Sequence, residues 1–211
     1  MPLNMKTIPP EPTSHPKSLT LILALFLAGA GPAWAATIAF DELPAQAVNG
    51  LTFQNVSFKF SLAGVPSTDA TFNSNALGAN TTLNLQSPTL EGNASGLLTL
   101  DFAQPISIFS FDLARLTSQN LPGATVSLFD SSLTEFAVTP VSVAKIATFS
   151  EGHFAYTGGT AVRRAVLSFP AAAGPRFAID NLISSVIPEP GSMLFGLGLA
   201  AFCASVRRRS R

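Results

Sequence analysis

Phe109-Ser110-Phe111-Asp112-Leu113 carries an apolar side chain at every second residue and a polar one between. Successive side chains of a β-strand point to opposite faces, so the stretch reads as a strand with one face in a core and the other toward water. The rhythm extends in both directions. Upstream, Leu98, Leu100 and Phe102 alternate with Thr99 and Asp101, and Val56, Phe58 and Phe60 with Ser57, Lys59 and Ser61. Downstream it continues through Val126 and Leu128, Phe136 and Val138, the run from Val166 to Phe169, and Phe177, Ile179 and Leu182. Turn-forming clusters punctuate these runs: Val48-Asn49-Gly50, Ala63-Gly64-Val65-Pro66, Glu91-Gly92-Asn93, Leu121-Pro122-Gly123, Thr157-Gly158-Gly159 and Ala173-Gly174-Pro175. No convincing helical period occurs between 36 and 187. The expectation is an all-β fold, an antiparallel β-sandwich of about eight to ten strands. Residues 65–92, rich in Asn, Ser, Thr and Ala, read as a long loop on the sandwich face, either a binding loop or a solvated one.

Composition bounds the function. The chain has 211 residues, 47% apolar and only 11% charged, which excludes a disordered, solvating polymer. Fourteen of the 17 phenylalanines lie between 36 and 187, and a domain of that length buries a proper core. The single cysteine, Cys203, excludes a disulfide framework and a cysteine-built zinc cluster. The net charge of zero is unevenly spread: residues 36–187 hold ten acids against six bases, a balance of −4. A nucleic-acid partner is therefore not expected, since phosphate binding needs a basic face.

The two ends read as addresses. Lys6 and Lys17 precede an apolar core, Leu19 to Ala30, and Ala33-Trp34-Ala35 fits the small-x-small rule. This is the pattern of a signal peptide over 1–35, cut by signal peptidase between Ala35 and Ala36. The alternative is an uncleaved membrane helix, for which twelve apolar residues are short. At the other end, Pro188-Glu189-Pro190-Gly191 refuses a helix. Ser192 to Val206 is a short, uncharged apolar run, and Arg207, Arg208, Arg209 and Arg211 close the chain. An apolar helix followed by arginines stays on the cytoplasmic side of a membrane. Fifteen residues suit a transient membrane hold better than a permanent anchor.

Motif, apolar run, Arg cluster and extreme C-terminal position together resemble the PEP-CTERM sorting signal, over 188–211. The resemblance implies export in a Gram-negative bacterium that makes exopolysaccharide, processing by an exosortase, and a destination at the cell surface, in the extracellular matrix or secreted. It makes Pro188, Glu189 and Pro190 the recognition residues. The alternative is a Pro-rich hinge before an ordinary anchor.

Phe40-Asp41-Glu42-Leu43-Pro44 and Phe177-Ala178-Ile179-Asp180-Asn181-Leu182 bracket the middle domain, 36–187. This pair resembles the jelly-roll, galactose-binding-like modules common among PEP-CTERM proteins. In such folds the first and last strands are often neighbours. That would bring Asp41, Glu42, Asp180 and Asn181 together, and four oxygen donors suit a calcium ion. The plainer alternative is that Asp180-Asn181 caps a turn and the two acids are solvated. No other cofactor is expected, because phosphate-binding glycine loops do not occur.

Catalytic residues are not expected either. A domain starting at Ala36 holds one histidine, His153, and Gly92-Asn93-Ala94-Ser95-Gly96 is not a nucleophile elbow. Glu42, Glu91, Glu135 and Glu151 leave a polysaccharide hydrolase open, since two suitably spaced carboxylates suffice for it. Trp34 departs with the signal, leaving Tyr156 as the one residue with a broad polar-edged ring for stacking on a sugar. The leading expectation is a non-enzymatic surface or matrix protein associated with exopolysaccharide. The alternative is a carbohydrate-binding module, calcium-dependent or not.

Overall fold

In the computed structural model the described residues are 35–75, 83–146, 148–170 and 173–186. The signal segment through Trp34 and the sorting segment from Ile187 lie outside them. So do Ala33, Pro188, Glu189, Pro190, Gly191, Arg207, Arg208 and Arg209, and with them the expected apolar helix. Among the described residues no helix is long and apolar enough to cross a membrane.

Among the described residues twelve strands form, all paired antiparallel. They are β1 (Ala35–Ile38), β2 (Gln46–Ala47), β3 (Thr52–Phe53), β4 (Val56–Leu62), β5 (Val65–Pro66), β6 (Thr71–Ser74), β7 (Thr89–Asn93), β8 (Gly96–Arg115), β9 (Leu121–Phe129), β10 (Glu135–Lys145), β11 (Ser150–Ser168) and β12 (Arg176–Ser185). The hydrogen-bonded order is β10-β9-β11-β8-β12-β7-β6-β2, with β1 on β12, and β4 on β8 carrying β3 and β5. The fold class is thus all-β, as the alternation implied. The strand count exceeds the expectation because β2, β3 and β5 have two residues each, too few to leave a period.

Two long strands make the sandwich. The Gly96–Phe102 end of β8 pairs with β4, and its Ile108–Arg115 end pairs with β12. β11 follows β8 along both parts. Inward side chains in β8 fall on even positions through Leu98, Leu100, Phe102 and Ile106, then on odd positions at Phe109, Phe111 and Leu113. The parity flip marks a corner at which the strand passes from one layer to the other. In β11 the pairing jumps at the same place, from Thr157 opposite Ile108 to Val162 opposite Ile106. The intervening residues bulge out, and the Tyr156 hydroxyl donates to the Thr160 carbonyl across them at 2.7 Å. Rings from the two layers meet between them: Phe60 of β4 lies 6.1 Å from Phe177 of β12, and Phe102 5.3 Å from Phe109.

Several expected turns are strand instead. Thr157-Gly158-Gly159 is the bulge inside β11, Leu121-Pro122-Gly123 opens β9, and Glu91-Gly92-Asn93 closes β7. At Gly92 and Gly123 glycine answers close packing. A Cβ on Gly92 would stand 2.7 Å from the Phe177 ring, and one on Gly123 2.4 Å from a Val143 methyl. The expected long loop 65–92 also contributes β5, β6 and the start of β7.

Four charged residues are buried among the described residues, Glu91, Arg115, Glu151 and Asp180, and Arg115 is the one base among them. Arg115 ends β8 fully buried, and its guanidinium donates to the carbonyls of Gly123 (2.5 Å), Pro170 (3.0 Å) and Gly174 (2.8 Å). It lies 5.5 Å from the Phe169 ring centre. Burial pulls its pKa down to about 10, so it remains charged at neutral pH while tying the β11–β12 connection to β9.

Candidate functional site

The bracket residues do meet, in part. β1 pairs with β12, Ala36 opposite Ser184 and Ile38 opposite Leu182. The chain leaving β1 therefore reaches the outer face near Asp180. Asp41, Asp180 and Asn181 line one cleft of about 260 Å³ together with Asn84, Gln86 and Pro88. Glu42 is not among its lining residues; its Oε1 instead accepts the Ala39 amide at 2.9 Å, closing the turn after β1.

Asp180 and Asn181 sit at a bulge in β12, where the pairing with β8 shifts between Asp180 and Ile183 and Asn181 takes φ 50°. The bulge moves the inward phase from Phe177 and Ile179 to Leu182. It leaves Asp180 on the outer face, yet only 3% exposed, because residues 83–88 cross above it. The Gln86 amide donates to Asp180 Oδ2 at 3.0 Å, and the Asn181 amide to Oδ1 at 2.7 Å. Burial raises the Asp180 pKa above the usual carboxylate value; these two hydrogen bonds oppose it, and the nearby charges of Asp112 and Asp41 add to it.

The crossing segment is held at a second point by Glu151. Its two carboxylate oxygens accept from the Leu83 amide (2.7 Å), the Asn84 amide (2.9 Å) and Asn84 Nδ2 (3.1 Å). Asn181 Nδ2 donates to the Asn84 carbonyl (3.2 Å) and to Asp112 Oδ2 (3.0 Å). Asp112 Oδ1 in turn lies 2.7 Å from His153 Nδ1, on a ring that is 59% exposed. Beneath the segment Leu85 packs on Ala114, Phe149 and Ala178. This is a polar strap over a small apolar patch, and its carboxylates are spent on backbone amides.

Calcium takes six to eight oxygens. The cleft offers two carboxylates, Asp41 and Asp180, the second already accepting two N–H groups. Among the described residues no group of three or more His, Cys, Asp or Glu gathers as a metal site. The cleft's two carboxylates alone do not fill that shell. Glu151, one of the open hydrolase carboxylates, is engaged with the strap.

A second cleft, of about 200 Å³, opens at the corner of β8. Phe102 and Ile106 line its floor, and Gln54, Asn55, Gln104 and Ser184 carry its polar groups. Ala36 and Val186 complete it, so the cleft lies where β1 enters the sheet and β12 leaves it. Gln54 and Asn55 form a two-residue hairpin between β3 and β4, with φ 46° and 65°, the positive pair that such a turn requires. The sequence reading missed these residues, although their signal was there. Gln104 interrupts the even run Leu100, Phe102, Ile106, and Ser184 interrupts Leu182, Val186. A polar residue at an inward phase marks either an error in the register or an opening in the core.

Residues 186–209 match the PEP-CTERM protein-sorting motif. The protein is thus an exported one, and the motif implies exosortase processing. No curated protein matches the chain. Similar solved structures include a family 29 carbohydrate-binding module, at 12% identity over 74% of this chain and 90% of that one, with a TM-score of 0.39. A variant of such a module complexed with mannohexaose gives 12% identity over 74% and 93%, TM-score 0.39. One complexed with cellulohexaose gives 12% over 72% and 91%, TM-score 0.39. Likeness at this level carries no ligand to this chain.

Proposed function

We propose that the protein is a non-enzymatic component of the surface or extracellular matrix of a Gram-negative bacterium, delivered as a single β-sandwich over 36–187. The observation supporting this is the sorting motif, which starts one residue after β12 ends at Ser185. The domain ends where the address begins. In this reading signal peptidase cuts before Ala36, and the apolar run from Ser192 with Arg207, Arg208 and Arg209 holds the tail briefly in the inner membrane. An exosortase then reads Pro188, Glu189, Pro190 and Gly191. The charges of the sandwich fit a presented domain, for they are used to hold the fold. Lys59 and Arg164 pair with Asp101 at 2.8 and 2.5 Å, and Arg176 pairs with Asp69 at 3.1 Å.

The test is the intact mass of the protein from its native host, in cell envelope and in medium. The expected species begins at Ala36 and ends near Pro188 to Gly191. A species keeping Arg211 in the envelope would overturn the reading in favour of a membrane-tethered domain.

A further inference from the structure

The corner cleft of β8 has the chemistry of a binding site for an uncharged polyhydroxylated ligand. Its polar groups are three side-chain amides, from Gln54, Asn55 and Gln104, and one hydroxyl, from Ser184. An amide presents donors and an acceptor side by side, and a hydroxyl does both with one atom. A sugar hydroxyl also donates and accepts, so it matches this set. None of the lining residues carries a charge, which leaves nothing to attract an ionic group or to offset its desolvation. Phe102 and Ile106 below supply an apolar surface, and an apolar bed with a few placed polar groups is the usual make-up of a small-molecule site.

Ser184 breaks the apolar strand pattern at the cleft. It is 6% exposed and lines the cleft. The strand pattern places an apolar residue at this inward position, between Leu182 and Val186. The Ser184 hydroxyl instead adds a polar group to a cleft already rimmed by amides.

The floor is also held rigid. The Ala103 amide donates to the Asn55 carbonyl at 2.8 Å, joining the hairpin to the corner of β8. The Arg163 guanidinium donates to the Phe102 carbonyl from the other side. Phe102 packs edge-on against Phe109. A site whose walls are fixed before binding spends less of its interaction energy on ordering them.

We propose that this cleft binds a single neutral sugar unit, such as the terminal residue of a matrix polysaccharide. The volume, about 200 Å³, is below the roughly 300–1,000 Å³ of sites for drug-sized ligands, which limits the occupant to one unit. The inference deepens the matrix-protein reading and rests on it for the class of glycan.

The experiment uses the purified full chain on an array of neutral and acidic saccharides, followed by saturation-transfer NMR with the bound sugars. The variants are Gln104→Ala, which trims an exposed side chain, and Asn55→Gly, which keeps the positive φ. The third, Ser184→Val, puts an apolar residue where the strand pattern wants one. The expected result is binding of neutral sugars, weakened about tenfold or more by Gln104→Ala and Ser184→Val, with the melting temperature kept or raised in Ser184→Val. Absence of neutral-sugar binding, binding of acidic glycans alone, or binding indifferent to all three variants would overturn the proposal. The assay does not depend on sorting. A tail that is processed in a protein that binds no sugar would sink this inference and leave the matrix reading standing. A sugar-binding protein that keeps Arg211 would do the reverse.

Discussion

Two apolar clusters lie on opposite sides of the same sheet, and they are closed by different means. Between the layers, Phe109, Phe111 and Phe154 contact one another at 5.2–5.6 Å, and Phe169 stacks on Phe177 at 3.9 Å. On the outer face, Leu85 covers Ala114, Phe149 and Ala178, and its segment is held by the carboxylates of Glu151 and Asp180. The first cluster draws on a large apolar area, a force without direction or dependence on pH. The second has little area and relies on hydrogen bonds to ionised groups, which are short-range, directional and stronger than neutral ones. The inner cluster therefore sets whether the domain folds. The outer one sets whether residues 83–88 stay down.

Removing a ring from the inner cluster gives the largest expected effect. Phe111→Ala should destabilise the domain by about 3–5 kcal/mol, a large share of the roughly 5–15 kcal/mol available to a domain. The urea midpoint measures it. A loss under about 1 kcal/mol would mean that the phenylalanine contacts are not what joins the layers.

Breaking the strap should cost less and stay local. Leu85→Ala removes the apolar plug, and Glu151→Ala leaves the Leu83 and Asn84 amides without their acceptor, at about 1–3 kcal/mol. Native-state hydrogen exchange separates the two regions. In Glu151→Ala the amides of 83–86 should exchange faster, while those of Phe109 and Phe111 hold. Equal acceleration of both sets would merge the clusters into one cooperative unit.

The inner cluster was legible in the sequence and the outer one was not, for a physical reason. Alternation reports which residues share a face of one strand, and the phenylalanines of β4, β8 and β12 announce themselves that way. The corner of β8 shows only as a parity flip between Ile106 and Phe109, and the β12 bulge as the odd spacing from Ile179 to Leu182. Glycine misled at Gly92 and Gly123, because close packing and turning call for the same residue. The strap could not be read at all: Glu151 and Leu83 are 68 residues apart, and nothing local in either signals a partner. Asp41, Asp180 and Asn181 lie along one cleft, and Asp180 and Asn181 are bonded there to the segment that crosses above, a partnership that bracketing alone does not indicate.

The pH responses of two carboxylates sharpen the contrast. In Asp101 burial alone would raise the pKa, but hydrogen bonds from Arg164 and Lys59 and their charges win and lower it from 3.8. Its stabilising contribution is complete above 3.8 and is lost as pH falls through the lowered value. Asp180 is raised, by burial first. Its contribution grows as pH falls through the raised value, is complete below 3.8, and is lost as pH rises. Melting temperatures of wild type minus Asp180→Asn should therefore rise from pH 7 toward about 4. Wild type minus Asp101→Asn should stay level there and fall below it. Slopes of the same sign would show that burial does not govern Asp180.

The smallest expected effect is that of calcium. Each Asp180 oxygen accepts a backbone N–H, Asn181 turns its Nδ2 toward Asn84 and Asp112, and Glu42 closes its own turn. An ion entering the cleft would have to compete with the Gln86 amide for Asp180 and so loosen the strap that forms one wall. EGTA should leave the melting temperature of the full chain where it is. An ion bound a hundredfold above its dissociation constant would instead add about 2.7 kcal/mol, a shift that melting detects easily. If millimolar calcium produced such a shift and Asp41→Asn abolished it, the outer cluster would be locked by a metal. The exchange rates of 83–86 should then slow with calcium while those of the inner core follow the global stability. That pattern would leave the two-cluster division intact but replace hydrogen bonding by ion coordination as the force that closes the outer one.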